Sequence, residues 1–440
     1  MTKLDGLQGN VLTGYKPPFA FYLFATVTDA GAARGWLRAR VDRVTTHRAW
    51  LETAPDVTFN LAFGHVGLLA LGVPAPRLTG LEAFGAGMAA RAAMLGDFGV
   101  SDPSGWEPGL TDSHVLAVLT ARDREALEAA RSELRGAFAQ GGLGVTHEQY
   151  AYALPEQRER FGFQDGFSQP AVAGADTGPR VGEGTLTRWG RWRQLALGEF
   201  VLGNRDEGGG CAPAPSGPLA EDATFMVVRK LAQDVAAFRR YTAEAGARLG
   251  REQAWVQAKM VGRWQNGSSL ARYPDAPGPS AAEDPQASDF HYSKDHEGLG
   301  CPLGSHVRRA NPRDALGWQG RLTQRHRIIR RGMGYGPALE DASTVDDGVA
   351  RGLMFVSYQA AIERQFEFIQ SQWLMDGNAL RLGADRDPLL GGEESPGEMI
   401  IQGRPPLFLA GLPSFVRTRG GGYYLLPGVA GLRALAAGAC

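Results

Sequence analysis

Three short stretches of this 440-residue chain hold residues that could do chemistry together. The first is GLGCPLGSHVRRANPRD, residues 298–314. Neutral imidazole is the commonest protein metal ligand and a usual axial ligand to heme iron. Arg308, Arg309 and Arg313 follow His306 within seven residues. A guanidinium fork can bind both oxygens of a carboxylate. An imidazole beside arginines therefore suits an iron group with carboxylate arms, such as heme with its two propionates. The alternative is a solvated basic turn before Pro312.

The second stretch is FGFQDGFSQP, residues 161–170, where Asp165 sits in a GxxDG pattern from Gly162 to Gly166. Asp-Gly is a common turn pair, and a plain turn is one reading. Phe161, Phe163 and Phe167 favour another. An aspartate among rings is expected to be at least partly buried, and a buried charge needs a partner or a task. The third stretch is RIIRRGMGYGP, residues 327–337. In a strand, alternate residues face opposite sides. If Ile328 points inward, so does Arg330, and Arg331 points away. An inward arginine needs an anion, for which Asp165 is the candidate; the alternative is an edge strand with solvated arginines. In GLMFVSYQ, residues 352–359, the same alternation puts Leu353 and Phe355 on one apolar face.

These residues must be positioned by the rest of the chain. Hydrophobic residues make up 43% and charged residues 21%, which gives a globular protein with a sizeable core. A net charge of −1 makes no electrostatic case for nucleic acid. No apolar run of about 18 residues occurs, so no membrane span is expected. No secretory signal is visible in MTKLDGLQGNVLTGYKPP, and three cysteines without a CxxC pair are not a disulfide framework; a cytoplasmic location is expected.

FAFYLFATV (19–27), VTFNLAFGHVGLLAL (57–71, with a Gly break), HVLAVLTA (114–121) and GVTHEQYAYAL (144–154) read as strands. Helical spacing falls over residues 32–44, and again after Asp123 as N-cap. That is β-α-β-β-α-β, a ferredoxin-like order. Residues 171–222 are Gly- and Pro-rich and connect the halves, and 265–299 form a polar excursion. The second half repeats the order. Strands are expected at 223–231, 327–336 and 352–359, helices at 232–247 and 360–375, a hairpin at 415–427 and a final short helix. The expected division is residues 1–170, a connection over 171–222, and residues 223–440.

GFQDG, CPLGSHVRRANPR, RIIRRGMGYGP and GLMFVSYQAAIERQFEFIQSQW, in this order and spacing, resemble the dye-decolorizing peroxidases. The opening LDGLQGNVLTGYKPPFAFYLFATVTDA and the closing RGGGYYLLPGVAGLRAL are similar to that family too, so the likeness spans nearly the whole chain. It implies an α+β fold of two ferredoxin-like domains, each an antiparallel sheet with flanking helices, as in the dimeric α/β-barrel superfamily. It implies heme b in the C-terminal half, with His306 as proximal iron ligand. Asp165 and Arg330 match the distal acid and arginine, Leu353 and Phe355 the apolar residues over the distal face, and Arg313 an arginine near a propionate. By motif position, Asp387 matches the carboxylate that steadies the proximal histidine. Gly334 stands where the family often has Pro.

The activity implied is reduction of hydrogen peroxide through compound I, followed by one-electron oxidation of bulky dyes and phenols. An oxidisable surface residue would relay electrons from donors too large for the pocket. Tyr335 and Trp373 occupy positions where relatives place such residues; the other reading of each is a core aromatic. Two further readings remain at this level. One is heme-modifying or oxidase activity without peroxide, and the other is a heme carrier or cargo protein with weak turnover. A carrier would need His306 but neither Asp165 nor Arg330.

Overall fold

The structure is a computed structural model; it describes residues 4–175, 181–187, 191–317, 320–390 and 397–440. The N-terminal half supplies β1 (Phe19–Val27), β2 (Val57–Gly64), β3 (Val115–Ala121) and β4 (Leu143–Tyr152). They lie antiparallel in the order β4-β1-β3-β2. After a small pair, β5 (Thr185–Leu186) with β6 (Trp192–Arg193), the second half supplies β7 (Thr224–Gln233), β8 (Ile329–Arg330), β9 (Met333–Tyr335) and β10 (Gly352–Gln359). The hairpin β11 (Gly397–Ile401) with β12 (Leu407–Leu412) precedes the last strand, β13 (Val416–Leu426). The order β13-β7-β10 with β8 and β9 beyond repeats that of the first half. β2 pairs β13, so both halves share one nine-stranded antiparallel sheet.

Period-2 alternation explains how this sheet is buried on both faces. Ala20, Tyr22 and Phe24 of β1 join Met226 and Val228 of β7, and Met354, Val356 and Tyr358 of β10, in one core shared by all nine strands. Phe21, Leu23 and Ala25, with Phe225 and Val227, face the other way under the helices. Asp123 caps the helix Arg124–Gln140 through the Glu125 amide, and Leu127, Leu134 and Phe138 are its buried stripe.

Four expectations need correction. The 57–71 strand ends at Gly64, and its second part is the helix His65–Ala70. The 327–336 strand is two short pieces, β8 and β9. The 415–427 segment is not a hairpin but a single strand. Its glycine run does not turn the chain; it admits close neighbours, since a Cβ on Gly421 would sit 2.5 Å from the Val228 carbonyl oxygen. The register shift between Thr418 and Gly420 absorbs the irregularity. Finally, the 360–375 helix is wound as π-helix over Glu363–Glu367 and Ile369–Leu374. Gln365 and Glu367 are buried in it. Gln365 bonds the carbonyls of Glu199 and Arg327, and Glu367 meets Arg91 and Tyr423. Turning both polar groups inward favours the wider turn.

Candidate active site

A cavity of ≈ 320 Å³ opens between the second-half sheet and the helices that cover it. Asp165, Arg330, His306, Arg313, Leu353 and Phe355 all line it. Leu353 and Phe355 reach it from β10, while Met354 and Val356 between them enter the shared core. The same alternation sends Ile328 and Arg330 to the cavity and Ile329 to the core. Arg331 turns away and donates to the carbonyls of Asn10, Val11 and Leu12.

His306 opens the short helix His306–Ala310. Its Nδ1 lies 2.8 Å from Asp387 Oδ2, and the Asp387 side chain is 0% exposed. Asp387 Oδ1 also accepts from the amides of Leu389 and Leu390. Burial alone would push the Asp387 carboxyl up; His306 and the Leu389 amide hold it below its ordinary value instead. Conversely, burial disfavours charge on His306, and the Asp387 charge and hydrogen bond outweigh it. With Nδ1 tied back, Nε2 is the nitrogen left to face the cavity.

Asp165 and Arg330 meet at 3.4 Å, from Oδ1 to Nη1. Arg330 Nη2 donates to the Phe167 carbonyl at 2.9 Å, and its backbone amide donates to Gln169 Oε1. Gly162 and Gly166, at φ +102° and +91°, make the turn that a Cβ would strain. Asp165 is partly buried, as expected, and its side chain is 42% exposed, toward the cavity. Phe161 and Phe163 pack around Phe238, so the acid keeps one side open to the cavity.

The basic cluster beside His306 also divides. Arg308 bonds Asp295 and the Cys301 carbonyl, and Arg309 bonds the carbonyls of Gly304, Trp373 and Asp385. Both are buried outside the cavity lining; only Arg313 of the three reaches it. Two arginines not foreseen from sequence join Arg313 there, Arg263 and Arg327. Arg313 and Arg263 hold carbonyls and Ser168 Oγ, and Arg327 only the Glu183 carbonyl. Among the described residues none of the three forms an ion pair with a carboxylate. Burial pushes Arg313 down to about 9 and Arg327 to about 10. Because guanidinium stays charged in proteins, this is an unmet demand for an anion. The donor set thus fits heme: a free imidazole nitrogen, an apolar slot, and three cations at one edge for two carboxylate arms.

Tyr335 is 4% and Trp373 3% exposed. Neither is a surface residue, as a relay terminus would need. Tyr335 belongs to the shared core, and Trp373 packs against His326, which lines the cavity. At Gly334 a Cβ would sit 2.5 Å from Arg160 Nη1, which accounts for a residue without a side chain there.

Residues 6–148 match the DyP dimeric alpha+beta barrel domain, and residues 214–384 the Dyp-type peroxidase C-terminal domain. The chain belongs to the dye-decolorizing peroxidase family. It is an oxidoreductase with peroxide as acceptor, and the family is heme-dependent. Dye-decolorizing peroxidase msp1 of Mycetinis scorodonius is 30% identical, over 98% of this chain and 87% of that one. Multifunctional dye peroxidase DyP2 of Amycolatopsis is 29% identical, over 99% of this chain and 96% of its own. A solved dye-decolorizing peroxidase in complex with 2,6-dimethoxyphenol superposes with a TM-score of 0.84 at 28% identity, covering 99% of this chain and 100% of that one. Among the described residues no helix is long and apolar enough to cross a membrane.

Proposed function

We propose that this peroxidase carries heme b in the cavity and uses it to oxidise dyes and phenols. In this reading His306 is the axial ligand, steadied by Asp387, and Arg313 binds a propionate with help from Arg263 and Arg327. Asp165 and Arg330 are the catalytic pair, and Leu353 and Phe355 cover the distal face. One observation carries the reading: a tied-back imidazole and an Asp–Arg pair open into the same apolar cavity.

Bound there, heme would supply the redox chemistry that accepts the two oxidising equivalents of peroxide. The protein's part is proton transfer and charge stabilisation. Asp165 accepts the proton from one peroxide oxygen and returns it to the other, so that water leaves. Arg330, held by the Phe167 carbonyl, would stabilise the charge that develops on the departing oxygen. Leu353 and Phe355 make that side of the cavity apolar and disfavour water there. Dyes and phenols then return two electrons, one at a time.

The division at 1–170, 171–222 and 223–440 goes with this reading; the repeated strand order supports it. Three free thiols, at Cys211, Cys301 and Cys440, support a reducing, cytoplasmic compartment. One equivalent of peroxide added to the heme-loaded protein tests the function. A fast drop in the Soret band is expected. An unchanged spectrum would make the protein a heme carrier instead.

A further inference from the structure

Six residues before Asp165, the carboxylate of Glu159 gathers three donors. Its Oε1 accepts from the Phe163 amide at 3.0 Å. Its Oε2 accepts from the Phe161 amide at 2.9 Å and from Gln233 Nε2 at 2.7 Å. The main chain closes the same turn, with Glu159 N donating to Phe163 O and Gly162 N to Glu159 O, both at 2.9 Å. Glu159 lines the cavity, and among the described residues it forms no ion pair. A carboxylate wrapped by donors and left without a cation is binding backbone rather than neutralising charge.

The placement matters because this turn presents the distal acid. Gly162, at φ +102°, takes the chain out of any strand geometry, so its neighbours' amides have no ladder to join. The Glu159 carboxylate stands in for that ladder. Gln233 is the last residue of β7, whose Arg229 and Leu231 line the same cavity. The bond between Glu159 and Gln233 therefore fixes a first-half loop to the second-half sheet. Six residues after Glu159, Asp165 must stay 3.4 Å from Arg330, which is carried by that sheet.

We propose that Glu159 is a positioning residue: with Gln233 it sets where Asp165 stands relative to Arg330. The proposal rests on Asp165 being the distal acid–base group. Misplacing such a group by about 1 Å lowers a rate roughly a hundredfold.

The test uses the heme-loaded protein and the variants Glu159→Ala, Glu159→Gln, Gln233→Leu and Asp165→Asn. Three quantities are read: the second-order rate constant with peroxide, the rate of donor oxidation that follows, and hydrogen exchange in the peptide spanning 159–169. Glu159→Ala is expected to slow the peroxide step by about ten- to a hundredfold. Exchange should rise at the Phe161 and Phe163 amides, while the Soret band and donor step stay as in wild type. Glu159→Gln keeps one good acceptor oxygen and should recover part of the loss. Gln233→Leu should show a smaller fall in the same step, and it serves as the test if Glu159→Ala does not fold. A peroxide rate within about twofold of wild type in Glu159→Ala, or in Gln233→Leu where only that variant folds, overturns the proposal. So does an equal loss of heme binding and both rates, which is a general structural role. If Asp165→Asn itself keeps the wild-type rate, the functional reading fails. If Asp165→Asn is slow while the Glu159 and Gln233 variants are normal, only this inference fails.

Discussion

His306 and Asp387 are 81 residues apart and meet at 2.8 Å, whereas Arg308 and Arg309, two and three residues from His306, turn away from the cavity. Residue types and strand alternation were enough to place Arg330 on the cavity side and Arg331 on the other. Removing Arg330 as Arg330→Leu should lower the peroxide rate roughly 10²- to 10³-fold with heme still bound. Arg331→Leu should leave that rate alone, though it removes three bonds to the N-terminal segment. An inverted result in stopped-flow would invert the face assignment. His306→Ala should lose stable heme, because it removes the axial protein bond; full heme occupancy with an unchanged resting spectrum would contradict this. Arg263 and Arg327 were not legible. Arg263 sits at an isolated bridge and Arg327 directly before Ile328, where strand alternation would send it away from the cavity, and the absence of a paired carboxylate exists only in three dimensions.

Strands were readable as short apolar runs buried on both faces, and the longer helices because each buries one regular stripe. The misread elements are those whose pattern serves something other than regular backbone. The β13 glycines make room for neighbours, and Gln365 and Glu367 distort a helix that otherwise has good α-helical spacing. The Gly- and Pro-rich connection was read only as loops, yet it buries Glu199 completely. Burial pushes that carboxyl up to about 7, against the pull of Arg364 and the Glu207 amide. Between the ordinary glutamate value of about 4.3 and 7, the folded chain binds more protons here than the unfolded one. This contribution to stability is therefore full below about pH 4 and is lost as pH rises through 7. Glu199→Gln, neutral at every pH, should gain on wild type by up to roughly 3 kcal/mol between pH 5 and 8. Melting temperatures of the two proteins across that range decide it; a constant difference would mean that Glu199 is ionised throughout.

At the scale of the molecule, the two halves join by ladder hydrogen bonds where β2 meets β13, and at the far ends β4 comes against β9. Arg160 spans that second junction. Its guanidinium donates to the carbonyls of Tyr152, Tyr335 and Gly336 while lying over the Tyr152 ring. It is 2% exposed, and Arg160→Leu should destabilise the fold by about 2–3 kcal/mol, since three carbonyls lose a charged donor; thermal melts measure this. The joint has a functional reach, because the same loop runs on from Arg160 to Asp165. In the proposed mechanism a carboxylate of the first half does acid–base work on a heme held by the second. A histidine base, at about 6.5, would be charged and useless in mildly acidic solution. The most direct measurement is the second-order rate constant with peroxide, followed against pH in wild type and in Asp165→Asn. The wild type should keep a fast reaction below neutrality, and Asp165→Asn should be slow across the whole range. An Asp165→Asn protein with the wild-type rate and profile would contradict the account and leave Arg330, with water, as the distal catalyst.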